Sequence, residues 1–228
     1  MNATQLVELQ ETFLFRGLDH ADYSTLIQRL APKTKSFAKG ETIYLQGSPV
    51  QHVGVVLTGT ARGYLEHVDG QRTIMAEFER LSVFGEVLVS TRTHKSPVTI
   101  SALTAVTAAF IEYNRIFSAS ATACAGHSLF VQNLLKALGD KFFQLFDRIN
   151  LLREKPLRNR IMAYLLSLRD GEATCVQLPH SKTWLAEYLL VNRSALSHEL
   201  HQMARDQLIT VSGRDIQLLF LMPPNGGN

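Results

Sequence analysis

The pattern of apolar and polar positions changes period along the chain. Over residues 1–30, Leu6, Leu9, Phe13 and Leu14 share one helical face, and Gly17 interrupts it. Asp19 then stands where the N-cap of a second helix belongs, ahead of Leu26, Ile27 and Leu30, and Pro32 ends that helix. From about 33 to 117 the period shortens. Strands are predicted over Thr42–Leu45, Val53–Leu57, Ala61–Leu65, Thr73–Phe78, Val98–Ala102 and Ala108–Ile111, with glycine-bearing turns between them. Many short strands at regular spacing predict a β-barrel or jelly roll.

The longest periodic segment runs over 127–153. Val131, Leu135, Leu138, Phe142, Leu145, Ile149 and Leu152 are spaced 4, 3, 4, 3, 4 and 3. That is the repeat of a coiled-coil seam, whereas a helix that only covers its own domain shows a wider and less regular stripe. These seven residues are the candidate dimer interface. Phe130, Leu134 and Phe146 flank the seam and are placed to pack back on the barrel of the same subunit. After Pro156 a helix is predicted over 157–168, closed by Asp170-Gly171. A short apolar run at Cys175–Leu178 follows, then helices over about 182–189 and 193–205. Leu208–Val211 and Ile216–Phe220 form a hairpin around Ser212-Gly213-Arg214-Asp215, and the tail PPNGGN is frayed. The expected organisation is therefore a barrel over 1–124, a dimerisation helix over 125–154 and a third domain over 155–228.

That third domain carries the strongest local signal. Leu185, Ala186, Leu189, Val191, Leu196 and Leu200 make a compact two-helix core, and Asn192 is a good N-cap for the second helix. Its outer face presents Arg193, Ser194, Ser197, His198 and His201. This is the pattern of a helix-turn-helix whose second helix enters the major groove. Arg193 can give two hydrogen bonds to guanine, and the hydroxyls and His198 suit shorter contacts. Ser181 and Lys182 are candidate phosphate contacts, and Arg214 at the hairpin tip is a candidate backbone contact. A helical hairpin that only packs is the competing reading.

Composition narrows the choice without deciding it. The 228 residues are 46% hydrophobic and 19% charged, which is ordinary for a globular protein, and the net charge of +3 does not mark a nucleic-acid or membrane binder. Residues 155 onward hold 8 Lys+Arg and 6 Asp+Glu, a net of +2. Cys124 and Cys175 exclude a disulfide scaffold and a four-cysteine metal or iron–sulfur site, and suit a reducing cytosol. No run of 18 apolar residues exists, and the N-terminus lacks the basic segment of a signal peptide, so a cytoplasmic protein with no membrane partner is expected. No Ser-His-Asp, paired-carboxylate or phosphate-loop motif stands out. His52, His67 and His94 lack the close His-x-His spacing of cupin metal sites, and these three with His127 sit at loop and turn positions that do not suit haem ligation. No enzyme, metal or fixed cofactor is expected.

With Phe84-Gly85-Glu86 in the barrel, the long seam helix, Leu157-Arg-Asn-Arg-Ile-Met-Ala-Tyr-Leu165 and then Val191-Asn-Arg-Ser-Ala-Leu-Ser-His-Glu-Leu200, the chain resembles the Crp–Fnr family of bacterial transcription regulators over roughly residues 10–222. The resemblance implies an α+β protein. Its parts would be an N-terminal double-stranded β-helix (jelly roll) sensor domain, a long dimerisation helix and a C-terminal winged helix-turn-helix. It implies a homodimer on palindromic double-stranded DNA, a small-molecule effector in the barrel, and RNA polymerase as a partner if the regulator activates. Members that bind cyclic AMP have a Gly-Glu pair for the ribose and an Arg-Ser pair for the phosphate. Gly85 and Glu86 match the first pair, but the second reads Lys95-Ser96, and lysine lacks the two-pronged geometry of arginine. The helix positions facing the purine fall near Leu145 and Phe146, which donate no side-chain hydrogen bonds. Cyclic AMP is therefore not the expected effector. The usual operator is not expected either, because Ser194 and His198 replace the family's common Glu and Arg. Leu190 replaces a frequent glycine, which predicts an unusual backbone there. A cyclic-nucleotide-type binding module without a DNA role is the alternative function.

Overall fold

A computed structural model describes the chain except residues 71, 90, 91, 118–125 and 220–228. Cys124, the end of the predicted hairpin at Phe220 and the tail lie outside the described residues. The chain forms two compact units, Met1–Phe143 and Gln144–Asn228, and the division falls within the long helix.

In the first unit, α1 (Ala3–Gln10) and α2 (His20–Leu30) are each set by their caps. The Asn2 side chain accepts from the Gln5 N–H at 2.9 Å, and the Asp19 carboxylate accepts from the Asp22 N–H at 2.8 Å. Two four-stranded antiparallel sheets follow. β1 (Lys33–Phe37), β8 (Val106–Glu112), β3 (His52–Thr58) and β6 (Val83–Phe84) are neighbours in one. β2 (Thr42–Tyr44), β7 (Thr99–Ala102), β4 (Ala61–Glu66) and β5 (Arg72–Phe78) are neighbours in the other. Six of the eight were predicted within three residues at each end. β1 was missed because Lys-Thr-Lys-Ser-Phe has no apolar alternation; it is an edge strand, where lysines discourage further pairing.

The sheets close on a core of Val56, Ala61, Phe84, Ile100, Ala102, Val106, Ala108 and Phe110, with Phe37, Tyr44 and Phe78 packed against it. Phe84 is fully buried at its centre, its ring 5.8 Å from Phe110, 5.9 Å from Tyr44 and 5.7 Å from Phe78. Gly54 makes room for it, since a Cβ there would fall 2.2 Å from the Phe84 ring. A second core joins α1 and α2 to β3, β8, α4 (Tyr113–Ile116) and the start of the long helix α5 (His127–Arg153). Phe130 and Leu134 lie in that core, as expected, and Val131 packs on it in part.

In the second unit, α6 (Leu157–Ser167), α7 (Lys182–Tyr188) and α8 (Arg193–Arg205) pack with a three-stranded sheet. Its strand order is β10 (Ile209–Ser212), β11 (Asp215–Leu218), β9 (Cys175–Gln177). Leu196, Leu200 and Met203 bury the inner face of α8. Among the described residues no helix is long and apolar enough to cross a membrane.

Candidate nucleic-acid interface and barrel site

The helix-turn-helix is built by its caps. The Ser181 hydroxyl accepts from the Trp184 N–H at 3.1 Å and starts α7; the Asn192 side chain accepts from the Ala195 N–H at 2.7 Å and starts α8. Ser181 thus spends its hydroxyl oxygen on the helix, and Lys182 remains beside it as the charged group. Between the helices, Leu190 takes φ +55°, the left-handed conformation expected for a residue in a glycine's place.

On α8, Arg193, Ser194, His198 and His201 are exposed and Ser197 is half-buried. They occupy one face, opposite Leu196 and Leu200. Ser194 donates to the Asn192 side chain at 2.8 Å, and His201 Nδ1 meets the Ser197 carbonyl at 2.7 Å, so these two side chains are partly committed to the helix itself. Arg214 is turned inward. Its Nε donates to the Leu178 carbonyl at 2.8 Å and an Nη to the Pro179 carbonyl, which fastens the hairpin to the segment leading into α7. Only its remaining N–H groups are left for a phosphate.

Two arginines that sequence reasoning quoted without a role hold this unit together. Arg158 pairs with Glu199 at 2.7 Å and Asp206 at 2.6 Å, tying α6 to the middle of α8 and to its C-cap. Arg160 donates to the Leu189 carbonyl at 3.0 Å. A third, Arg148, carried no sequence signal, because it sits between seam positions. It is 7% exposed, and its guanidinium lies 4.5 Å from the Tyr188 ring centre. Tyr188 in turn stacks on Trp184 at 4.7 Å. Burial lowers the Arg148 pKa from its ordinary value, opposed by Tyr188, and burial pushes the Tyr164 hydroxyl up to about 12.

The barrel candidates are placed as follows. Gly85 has φ +82°, and a Cβ there would lie 2.8 Å from the His52 carbonyl, so the turn is closed to other residues. Glu86 begins α3 (Glu86–Val89) and is fully buried, with Lys141 Nζ ion-paired to it. Lys141 also donates to the Val83 carbonyl at 2.8 Å and lies 5.4 Å from the Phe78 ring centre. Within the first unit Lys141 is therefore a long-helix side chain that meets the family's glutamate position. Ser96 is buried and donates its hydroxyl to the Val98 carbonyl at 2.5 Å, while Lys95 is exposed and bridges Pro49. Of the histidines weighed as ligands, His127 Nε2 meets the Ile116 carbonyl at 2.6 Å and His67 Nε2 meets Thr73 at 2.8 Å.

Lys141→Met leaves the buried Glu86 carboxylate without its ammonium. It is expected to destabilise the first unit by about 3 kcal/mol, the low end for such pairs because Lys141 stays partly exposed. Adding Glu86→Gln should return part of that loss, and calorimetric unfolding of wild type and the two variants checks both.

The long helix presents the remaining feature. Leu135, Phe142, Phe143, Leu145, Phe146 and Ile149 are each more than half exposed, from 51% to 64%. Phe146 is 51% exposed and stands with Phe143 beside the predicted seam, so the apolar stripe is wider than the seven spaced positions. Leu138 and Leu152 are half-buried.

A ligand-type β-barrel, a long helix and a capped helix-turn-helix with a hairpin wing define a DNA-binding regulator. The cyclic nucleotide-binding domain model matches residues 34–122 and the Crp-like helix-turn-helix domain model matches residues 159–221. The chain belongs to the Crp/Fnr family of transcription regulators. Solved structures similar to it include a doubly substituted mutant of CooA from Carboxydothermus hydrogenoformans, with TM-score 0.70, 19% identity, 96% of this chain and 94% of that one covered. FixK2 from Bradyrhizobium japonicum gives TM-score 0.60, 23% identity and coverages of 82% and 92%. The c-di-GMP-responsive regulator CLP from Xanthomonas campestris gives TM-score 0.65, 18% identity and coverages of 87% and 100%. At these identities the likeness is one of fold. No curated protein matches the chain.

Proposed function

We propose that the protein is a cytoplasmic homodimer that binds a palindromic DNA site and is controlled by a small-molecule effector in its barrel. The observation that carries this reading is α8. Its inner face is spent on Leu196, Leu200 and Met203, and its outer face offers Arg193, Ser194, Ser197 and His198 with no covering element among the described residues of its own unit. Lys182 and Arg214 supply phosphate contacts that set register rather than sequence. The exposed apolar stripe of α5 supports pairing through the seam from Val131 to Leu152, with residues 1–124, 125–154 and 155–228 as sensor, dimerisation and reading segments. RNA polymerase is a partner only if the regulator activates.

In the barrel, Gly85, Glu86, Lys95 and Ser96 remain the proposed effector residues, with Glu86 and Lys95 the two that have side-chain groups to offer. A ligand that reaches Glu86 brings hydroxyl or amine donors and releases Lys141. It acts as a switch only through different affinities for the two states of the dimer. Three observations speak against cyclic AMP: Glu86 already paired, Ser96 spent on backbone, and lysine at the phosphate position. They equally disfavour a nucleotide-binding module without a DNA role.

The test is selection of duplexes from a random-sequence pool by the full-length protein. Enrichment of a two-fold site with half-sites about 34 Å apart, one helical turn, is expected. A pool left without a shared motif, with calorimetric binding of cyclic AMP in its place, overturns the reading in favour of the alternative.

A further inference from the structure

The turn of the helix-turn-helix is held from outside by two arginines, and their position reaches back to the seam helix. α7 ends in a Schellman turn: the Val191 N–H bonds the Ala186 carbonyl at 2.9 Å and the Leu190 N–H bonds the Glu187 carbonyl at 3.2 Å. That pattern leaves the carbonyls of Tyr188 and Leu189 to other donors. Arg148 Nη2 donates to Tyr188 at 3.3 Å and Arg160 Nη1 donates to Leu189 at 3.0 Å. Each guanidinium also places positive charge at a helix C-terminus, where it is favourable. Glycine normally fills the left-handed position of such a turn, and leucine there carries a backbone cost. Leu190 is followed at once by Val191 and the Asn192 cap, so the same carbonyls decide where Arg193 begins.

We infer that Arg148 and Arg160 are positioning residues for sequence recognition: they fix the strained turn, and through it the entry angle of the α8 face. Arg148 lies between Leu145 and Ile149 on α5, so its grip on Tyr188 links the register of the seam to the reading helix. Neither arginine touches DNA. Arg148 is buried, its charge shared between a carbonyl and an aromatic ring, and it supplies no phosphate contact.

The inference rests on the DNA-binding reading, and the experiment separates the two. The probe is the duplex that the full-length wild-type protein selects from a random pool; if none is selected, the DNA reading falls first. With that duplex, Arg148→Met and Arg160→Met are each expected to weaken specific binding about tenfold, since each removes a charged hydrogen bond that holds the turn. The slope of affinity against salt stays unchanged, because no phosphate contact is lost. Leu190→Gly, which relieves the turn, restores part of the loss in the Arg148→Met background, and Arg148→Lys does not. Trp184 is the only tryptophan and stacks on Tyr188, so its emission shifts in Arg148→Met without DNA present. Unchanged specific affinity in a folded Arg148→Met protein overturns the inference. A reduced salt slope also overturns it, by making the arginine a direct phosphate contact.

Discussion

Leu145→Glu combined with Ile149→Glu is expected to turn the protein into a monomer. Both side chains are 51% exposed in the isolated chain, so pairing two chains removes about half of each from water. Half of a full leucine or isoleucine burial is worth about 1 kcal/mol. Four such residues meet across a two-fold axis, which gives about 4 kcal/mol, or roughly a thousandfold in the dimerisation constant. Like charges from the two chains then face each other and add to the loss. Neither residue belongs to a buried core cluster, so the variant keeps its circular dichroism spectrum. Sedimentation at micromolar concentration should give a dimer for wild type and a monomer for the variant, whose affinity for a two-half-site duplex falls to that for one half-site. A monomeric wild type, or a dimeric variant, would remove the seam from the mechanism.

The seam and the reading head were legible in sequence because each has a period. The spacing of Val131 to Leu152 predicted a helix over 127–153, and α5 spans His127–Arg153. Asn192 and Asp19 are read as caps from residue type and position alone, and both accept the expected backbone N–H; Ser181, read from sequence only as a phosphate contact, caps α7 as well. Leu190 was readable only through the resemblance, as a leucine at a glycine's place. Other features had no local signature. β1 is polar because an edge strand needs only one inward residue, and β6 is two residues long. Lys141 looks like any solvent-facing helix lysine; its meaning comes from Glu86, 55 positions earlier, which only the folded barrel brings to it. Arg148 is hidden in the same way, between two seam residues and under Tyr188. Periodicity tells which face Phe146 is on, but not whether that face is covered by its own chain or by another. Paired charges and orphan carbonyls are long-range matters, so a chain read in order cannot show them.

Arg193→Ala is expected to remove most of the sequence discrimination while leaving the fold intact. Asn192 performs the cap with its own side chain, receiving Ala195 and Ser194, so Arg193 is not needed to start α8. Among the described residues its guanidinium makes no hydrogen bond or ion pair, and it stands exposed in the first turn, where a recognition helix meets base edges. A two-pronged contact with guanine is worth about 1–3 kcal/mol of discrimination, and a dimer makes it twice. The loss in specific affinity is therefore at least about 2 kcal/mol, close to thirtyfold. Affinity for unrelated duplex should fall far less, because that term comes from phosphate contacts elsewhere. Arg193→Lys is expected to behave more like alanine than like arginine, since a single ammonium cannot reproduce the fork. His198→Ala, which removes one donor or acceptor at the next turn, should cost less than either. Fluorescence anisotropy at fixed salt, on the selected duplex and on one with the guanine replaced, measures all of these. If wild type and Arg193→Ala discriminate equally between the two duplexes, the recognition face lies elsewhere on the unit and the orientation of α8 argued from its buried leucines does not describe the bound state.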